Sequence, residues 1–359
     1  MIGILTFWGV YNYGAFCQAY ALNKAITSIK PGEEVNHIAY LHEKHEDLYF
    51  RRHEPEYKGV RSWISPNYYK AKILYKIAPQ LKNKRFEQCW NSIPHKSFSS
   101  VQEMENYQID VLVLGSDAIW EFSTRDFGDD IHLLGINMNA KKKVAYGPSF
   151  GDMNLEYFFP EYIPKGLNTL DYISVRDKTS AEIVTKYTGN RPEIVLDPTF
   201  LWDFKQDVNI PEVKQKNYIL VYGCNFEDDF ISEIKMYARN NNLKIIGVGM
   251  APKWCDKVLD DLSPLEWIGY FKSADLVVTC TFHGLMFAIH YEKKFIFNQI
   301  EHVKNRSQYL LELAGLDEVY RHGPSVERLL DFDWDYDGIN ARIMPIRNKS
   351  MEILKEMLS

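Results

Sequence analysis

The stretch Thr279-Cys-Thr-Phe-His-Gly-Leu-Met-Phe-Ala-Ile289 holds the residue types best suited to acid–base chemistry. Leu276 to Thr279 reads as a strand, and Leu285, Met286, Ala288 and Ile289 after Gly284 read as a buried helix, which leaves His283 at a strand-to-helix junction. Free amide N–H groups and the positive end of a helix dipole favour an anion at such a junction, and a histidine there exchanges protons near neutral pH. The competing reading is a histidine that satisfies a backbone carbonyl at a packed turn.

The elements that must position this histidine follow a strand–loop–helix rhythm. Ile2-Gly-Ile-Leu5 reads as a strand, and Ala15, Ala19, Leu22, Ile26 and Ile29 have helical spacing. The loop between them contains Gly14 but no G-x-G-x-x-G, so a dinucleotide fingerprint is not supported. Ile109 to Leu114 is an apolar run of the buried parallel-strand kind, ending in Gly115-Ser-Asp-Ala-Ile-Trp120, and polar residues at the carboxyl end of such a strand face the ligand crevice. Lys143 to Tyr146, Tyr172 to Val175 and Glu193 to Leu196 lead similarly into Pro148-Ser-Phe-Gly151, Arg176-Asp177 and Asp197-Pro-Thr199. Polar residues 203–216 read as a linker, after which strands recur at Tyr218, Lys244, Asp275 and Lys294. Ser263-Pro-Leu-Glu266 has the cap, the proline and the glutamate of a helix start. The expectation is an α/β protein of two Rossmann-like domains: 1–203, 217–336, and a C-terminal helix over 340–359 that packs across the domain seam.

With 359 residues, 46% of them hydrophobic, the chain can build two cores. Lys and Arg number 42 against 48 Asp and Glu, a net −6 that gives no electrostatic case for nucleic acid. Five scattered cysteines without a C-x-x-C pair suit reduced thiols, with neither a disulfide framework nor a metal site. Met1 runs straight into a strand and Leu276 to Tyr291 is too short to span a bilayer, so a cytoplasmic protein is expected. Between Tyr57 and Arg85 there is no acidic residue, while eight Lys and Arg alternate with Trp63, Tyr68, Tyr69 and Tyr75. A solvated helix face accounts for that pattern; so does peripheral contact with the inner face of an anionic membrane. Asp333 to Gly338 imitates the opening of a calcium loop, but Met344 occupies the position of the required glutamate.

Taken in order, Asn12-Tyr-Gly-Ala15 with Gln18, Gly115-Ser-Asp117 with Trp120, Ala145-Tyr146 through Ser149-Phe-Gly151, Val175-Arg-Asp177, Leu196-Asp-Pro-Thr199, Phe282-His-Gly284, and Asn305-Arg306 before Leu310-Leu311 resemble the polysaccharide pyruvyl transferase family. The resemblance implies a GT-B-like pair of domains with the active site in the interdomain cleft. It also implies phosphoenolpyruvate as donor, a sugar as acceptor, a cyclic pyruvate ketal as product, and no cofactor. It further implies His283 as catalytic acid–base, and a donor site of Arg176, Arg306, Thr281, Phe282 and Gly284. Asn12, Tyr13, Gln18, Asp117, Trp120 and Ser149 are expected on the acceptor side, facing a sugar carried on a polyprenyl diphosphate. Some members carry arginine two residues before the histidine; this chain has Thr281, so the missing charge is expected from Arg306, Lys304 or His302. The competing functions are a nucleotide-sugar glycosyltransferase on the same architecture and a non-catalytic glycan-binding subunit.

Overall fold

A computed structural model describes residues 1–42, 83–122, 130–224, 226–317 and 326–359, with the side chains of 301, 302, 305 and 327 left aside. The basic aromatic segment 57–85 lies outside these residues except for its last three. Of those three, Arg85 donates to Glu266 at 2.8 Å.

The first half is a seven-stranded parallel sheet. Its strands are β1 (Ile2–Leu5), β2 (Val35–Ile38), β3 (His95–Lys96), β4 (Ile109–Leu114), β5 (Ala140–Ala145), β6 (Tyr172–Val175) and β7 (Glu193–Ile194), in the order β3-β2-β1-β4-β5-β6-β7. The main helices of this half are α1 (Tyr13–Ile29), α2 (83–92), α3 (Val101–Asn106), α4 (Tyr162–Leu167) and α5 (Lys178–Thr188). The second half is a five-stranded parallel sheet of β8 (Tyr218–Tyr222), β9 (Lys244–Val248), β10 (Lys257–Leu259), β11 (Leu276–Thr279) and β12 (Lys294–Phe297), in the order β10-β9-β8-β11-β12. With it go α6 (Asp228–Asn240), α7 (Pro264–Ser273), α8 (Phe282–His290), α9 (Glu301–Ala314), α10 (Val326–Asp331) and α11 (Tyr336–Met357). This is the two-sheet α/β architecture expected from the sequence.

Both strand orders reverse direction once, between β1 and β4 in the first sheet and between β8 and β11 in the second. At such a reversal the helices leave to opposite faces and a crevice opens beyond the carboxyl ends of the strands. Asn12 and Asp117 follow β1 and β4; His283 follows β11.

Local sequence explains the helices that end at this seam. Ser263 and Glu266 form a reciprocal capping box at the start of α7, with Pro264 in the first turn. Helix α1 is buried on nearly every face because the first sheet covers one side and the second half covers the other. Tyr13, in its first turn, stacks on Trp267 of α7 at 5.2 Å and donates its hydroxyl to the Leu262 carbonyl at 2.9 Å. The first part of 203–216 is pinned in place: Phe204 is fully buried, and Asp207 accepts from Tyr20 and Trp202. The last helix touches both halves. Near its start Tyr336 donates to the Lys293 carbonyl and Asn340 to Glu292; further on Arg347 donates to the Phe200 carbonyl, and Ser350 accepts from the Leu196 amide. Asp335 of the calcium-loop-like stretch caps this helix by accepting from the Gly338 amide.

Candidate functional site

His283 is the second residue of α8. Thr281 caps that helix, its hydroxyl accepting from the Gly284 amide at 3.0 Å and sharing a hydrogen bond with Thr279 at 3.1 Å. Gly284 is small of necessity, since a Cβ there would lie 2.1 Å from the Thr279 hydroxyl. Thr281, Phe282 and Gly284 therefore build the helix start that aims His283. The imidazole crosses the seam and lies on Gly14 of α1, where a Cβ would come within 2.1 Å of Nδ1. Its Nε2 is shielded from solvent and has no hydrogen-bond partner among the described residues. The first turns of α1 and α8, capped by Asn12 and Thr281, thus meet at this ring.

Beside the ring lies a buried charge cluster. Arg176, only 3% exposed, donates from Nη1 to Asp197 at 2.6 Å and from Nη2 to Asp117 at 2.8 Å, and its guanidinium lies 5.2 Å over Phe282. Both terminal nitrogens of Arg176 are thus committed to carboxylates, and Phe282 covers the guanidinium face. The cluster holds one cation against two anions. Asp197, part of a motif in the sequence but assigned no site role there, does cap a turn, accepting from the Thr199 amide and hydroxyl, while its other oxygen takes Arg176.

The electrostatics follow from burial. Loss of water pushes the His283 pKa below its ordinary value; Asp117 and Asp197 oppose this, and Arg176 and Arg306 add to it. The resting ring is therefore a neutral imidazole at neutral pH, and an anion brought beside it favours its protonation. Burial also acts on Asp117, but Arg176 and His283 outweigh it and hold the carboxyl below the usual range, so it is ionised. Arg306 sits on α9 with its side chain 11% exposed and Nη2 4.0 Å from Asp152. Lys304 is exposed on the same helix, and the His302 side chain lies outside the described residues. Burial pushes the nearby Cys280 thiol up to about 11, which keeps it protonated and a poor nucleophile.

Several acceptor-side expectations change. Trp120 is 2% exposed, donates to the Leu133 carbonyl and packs on Phe150, so its ring belongs to the core and offers no face to a sugar. Tyr13 is spent on the α7 contact already described. Gln18 is fully buried with its amide used on both sides: Nε2 donates to Thr6 and to the Ala15 carbonyl, and Oε1 accepts from the Ser116 amide. Ser149 is fully buried too, its hydroxyl accepting from the Gly151 amide while its own amide donates to the Asp117 carbonyl. These residues shape the loops after β1, β4 and β5. Asn12 is exposed and caps α1 through the Ala15 amide, and Asp117 alone among the six stands in the charge cluster beside His283.

The sequence matches the model of the family described as polysaccharide pyruvyl transferase over residues 12–297, which takes in every residue of this cluster except Arg306. The chain belongs to the polysaccharide pyruvyl transferase family. That makes it a transferase of polysaccharide biosynthesis. Comparison with curated proteins gave no match. Among solved structures it is similar to a UDP-GlcNAc 2-epimerase from Methanocaldococcus jannaschii (TM-score 0.46, 12% identity, 97% of this chain and 92% of that one). It is also similar to MnaA of S. aureus solved with UDP (0.48, 12%, 94% and 90%) and to the E. coli heptosyltransferase WaaC solved with ADP (0.37, 13%, 83% and 87%). At these scores nothing about this chain rests on them. No helix among the described residues is long and apolar enough to cross a membrane.

Proposed function

We propose that this pyruvyl transferase uses phosphoenolpyruvate as donor and installs pyruvate as a cyclic ketal across two hydroxyls of a polysaccharide sugar, releasing phosphate, with His283 as the acid–base group. The observation that carries the reading is the shielded, unpartnered Nε2 of His283 at the meeting of two helix N-termini. An anionic donor suits that position, since backbone N–H groups and two helix dipoles favour it. Its charge offsets the burial that keeps the ring neutral, so donor binding converts His283 into an acid beside the methylene carbon that must gain a proton. Arg306 contributes positive charge from α9, in place of the arginine that Thr281 replaces. Arg176, both of whose terminal nitrogens are held by carboxylates, offsets the negative charge of Asp117 and Asp197 beside the donor and is not a free clamp. A lipid-linked acceptor at the inner membrane face, and contact with that membrane through 57–85, complete the proposal.

The test is to incubate the purified protein with phosphoenolpyruvate and a panel of galactose- and mannose-type glycosides. Phosphate release matched by a ketal mass gain supports the reading. Phosphoenolpyruvate left intact while a nucleoside diphosphate sugar is consumed would replace it with glycosyl transfer.

A further inference from the structure

The two carboxylates that hold Arg176 are not equivalent. Asp197 is closed: its side chain is 1% exposed, Oδ2 takes Arg176, and Oδ1 takes both the amide and the hydroxyl of Thr199. Asp117 is open. Both of its hydrogen bonds, from Arg176 and from the Ala118 amide at 2.9 Å, fall on Oδ1; Oδ2 accepts none among the described residues, and the side chain keeps 12% exposure. Its backbone is left-handed, with φ of 72°, in the loop after β4 at the reversal point of the first sheet. Aspartate enters this region more readily than most residues do. The loop is fixed from beneath: the Ser149 amide donates to the Asp117 carbonyl at 2.8 Å, and Gln18 holds the Ser116 amide at 3.1 Å.

We propose that Asp117 takes the proton from the first attacking acceptor hydroxyl, through Oδ2, with Arg176 and Asp197 as its positioning residues. This rests on the pyruvyl-transfer reading above. In the first step the hydroxyl oxygen bonds to C2 of phosphoenolpyruvate and its proton passes to Asp117, while the C2=C3 pair takes a proton from protonated His283 to give the methyl group. In the second, the C2–O bond to phosphate breaks with its electron pair, the second hydroxyl bonds to C2, and its proton returns to His283. The proton on Asp117 leaves on the phosphate. Two hydroxyl protons are thus accounted for, one on carbon and one on phosphate, with no outside acid. A weak but permanently ionised base suffices, because the hydroxyl becomes acidic only as its bond to C2 forms.

Asp117→Asn keeps the Oδ1 contact with Arg176 and removes one negative charge from an anion site. The turnover number should fall about 100-fold or more, while Kd for phosphoenolpyruvate, measured by calorimetry, stays level or drops and the melting temperature is held. Asp197→Asn, the control, should lose thermal stability first. A full rate in Asp117→Asn overturns the proposal. So does a loss of rate matched by weaker donor binding and a lower melting point, the signature of a structural role. Wild-type protein that neither binds phosphoenolpyruvate nor releases phosphate from it overturns the pyruvyl-transfer reading instead, and this inference with it; the failure then lies in the wild type and not in the variant.

Discussion

Gly14→Ala tests whether the contact between the two halves sets the position of His283. A Cβ on residue 14 would lie 2.1 Å from Nδ1 and 2.5 Å from Cγ and Cε1 of the imidazole. Ordinary carbon contacts sit near ~3.5 Å, so the ring must retreat by roughly 1 Å or the first turn of α1 must lift away from α8. Alanine favours a helix over glycine by about 1 kcal/mol, which works against any unfolding of α1. Overpacking of this kind costs about 1–3 kcal/mol. A misplacement of ~1 Å at a reacting group is worth about 100-fold in rate. The expected result is therefore a lopsided one, with the turnover number down about 100-fold, donor Kd changed little and the melting temperature lowered by only a few degrees. The assays are phosphate release from phosphoenolpyruvate at saturating donor, calorimetric binding and a thermal melt. Wild-type turnover in Gly14→Ala would show that the ring need not rest where it does, and a loss of rate no larger than the loss of folded protein would reduce the contact to packing.

Three further outcomes follow from the same geometry. Arg176→Met leaves Asp117 and Asp197 buried without their cation and should cost about 3–5 kcal/mol in urea unfolding; a change under about 1 kcal/mol would contradict a buried cluster. Ser263→Ala removes one half of the α7 capping box and should cost about 1 kcal/mol, read as a lower melting temperature without a change in donor affinity. His132 lies away from the site: burial lowers its pKa, but hydrogen bonds to Asp130 and Glu105 and their charges outweigh this, so the folded value is raised. Its stabilisation is complete below the unfolded histidine value of ~6.5 and fades as pH rises through the folded one. The melting-temperature gap between wild type and His132→Gln should accordingly be wider at pH 5.5 than at pH 8.5, and a gap that widens with rising pH would reverse the assignment.

The strand-to-helix junction at His283 was legible because a continuous apolar run, a glycine and a buried helix follow one another within a dozen residues; the Thr281 cap was not read there. The capping box at Ser263 was legible for the same local reason. Asp197 was not: Arg176 reaches it across 21 residues and reaches Asp117 across 59, a convergence made by strand order, which no local pattern records. Trp120 and Tyr13 show the reverse difficulty. An aromatic ring suits a sugar face and a core equally, and only the packing of Phe150 on one and Trp267 on the other decides between them. Gly14 reads only as a loop glycine in the sequence; what requires it is a ring from the other half of the molecule.

The most direct measurement is phosphate release from phosphoenolpyruvate by His283→Gln, with donor binding measured alongside. Glutamine keeps a polar side chain at the start of α8 but cannot carry a proton to carbon. The expected result is donor binding near that of wild type with ketal formation and phosphate release reduced about 100-fold or more. Turnover at the wild-type rate in His283→Gln would contradict the account at its centre.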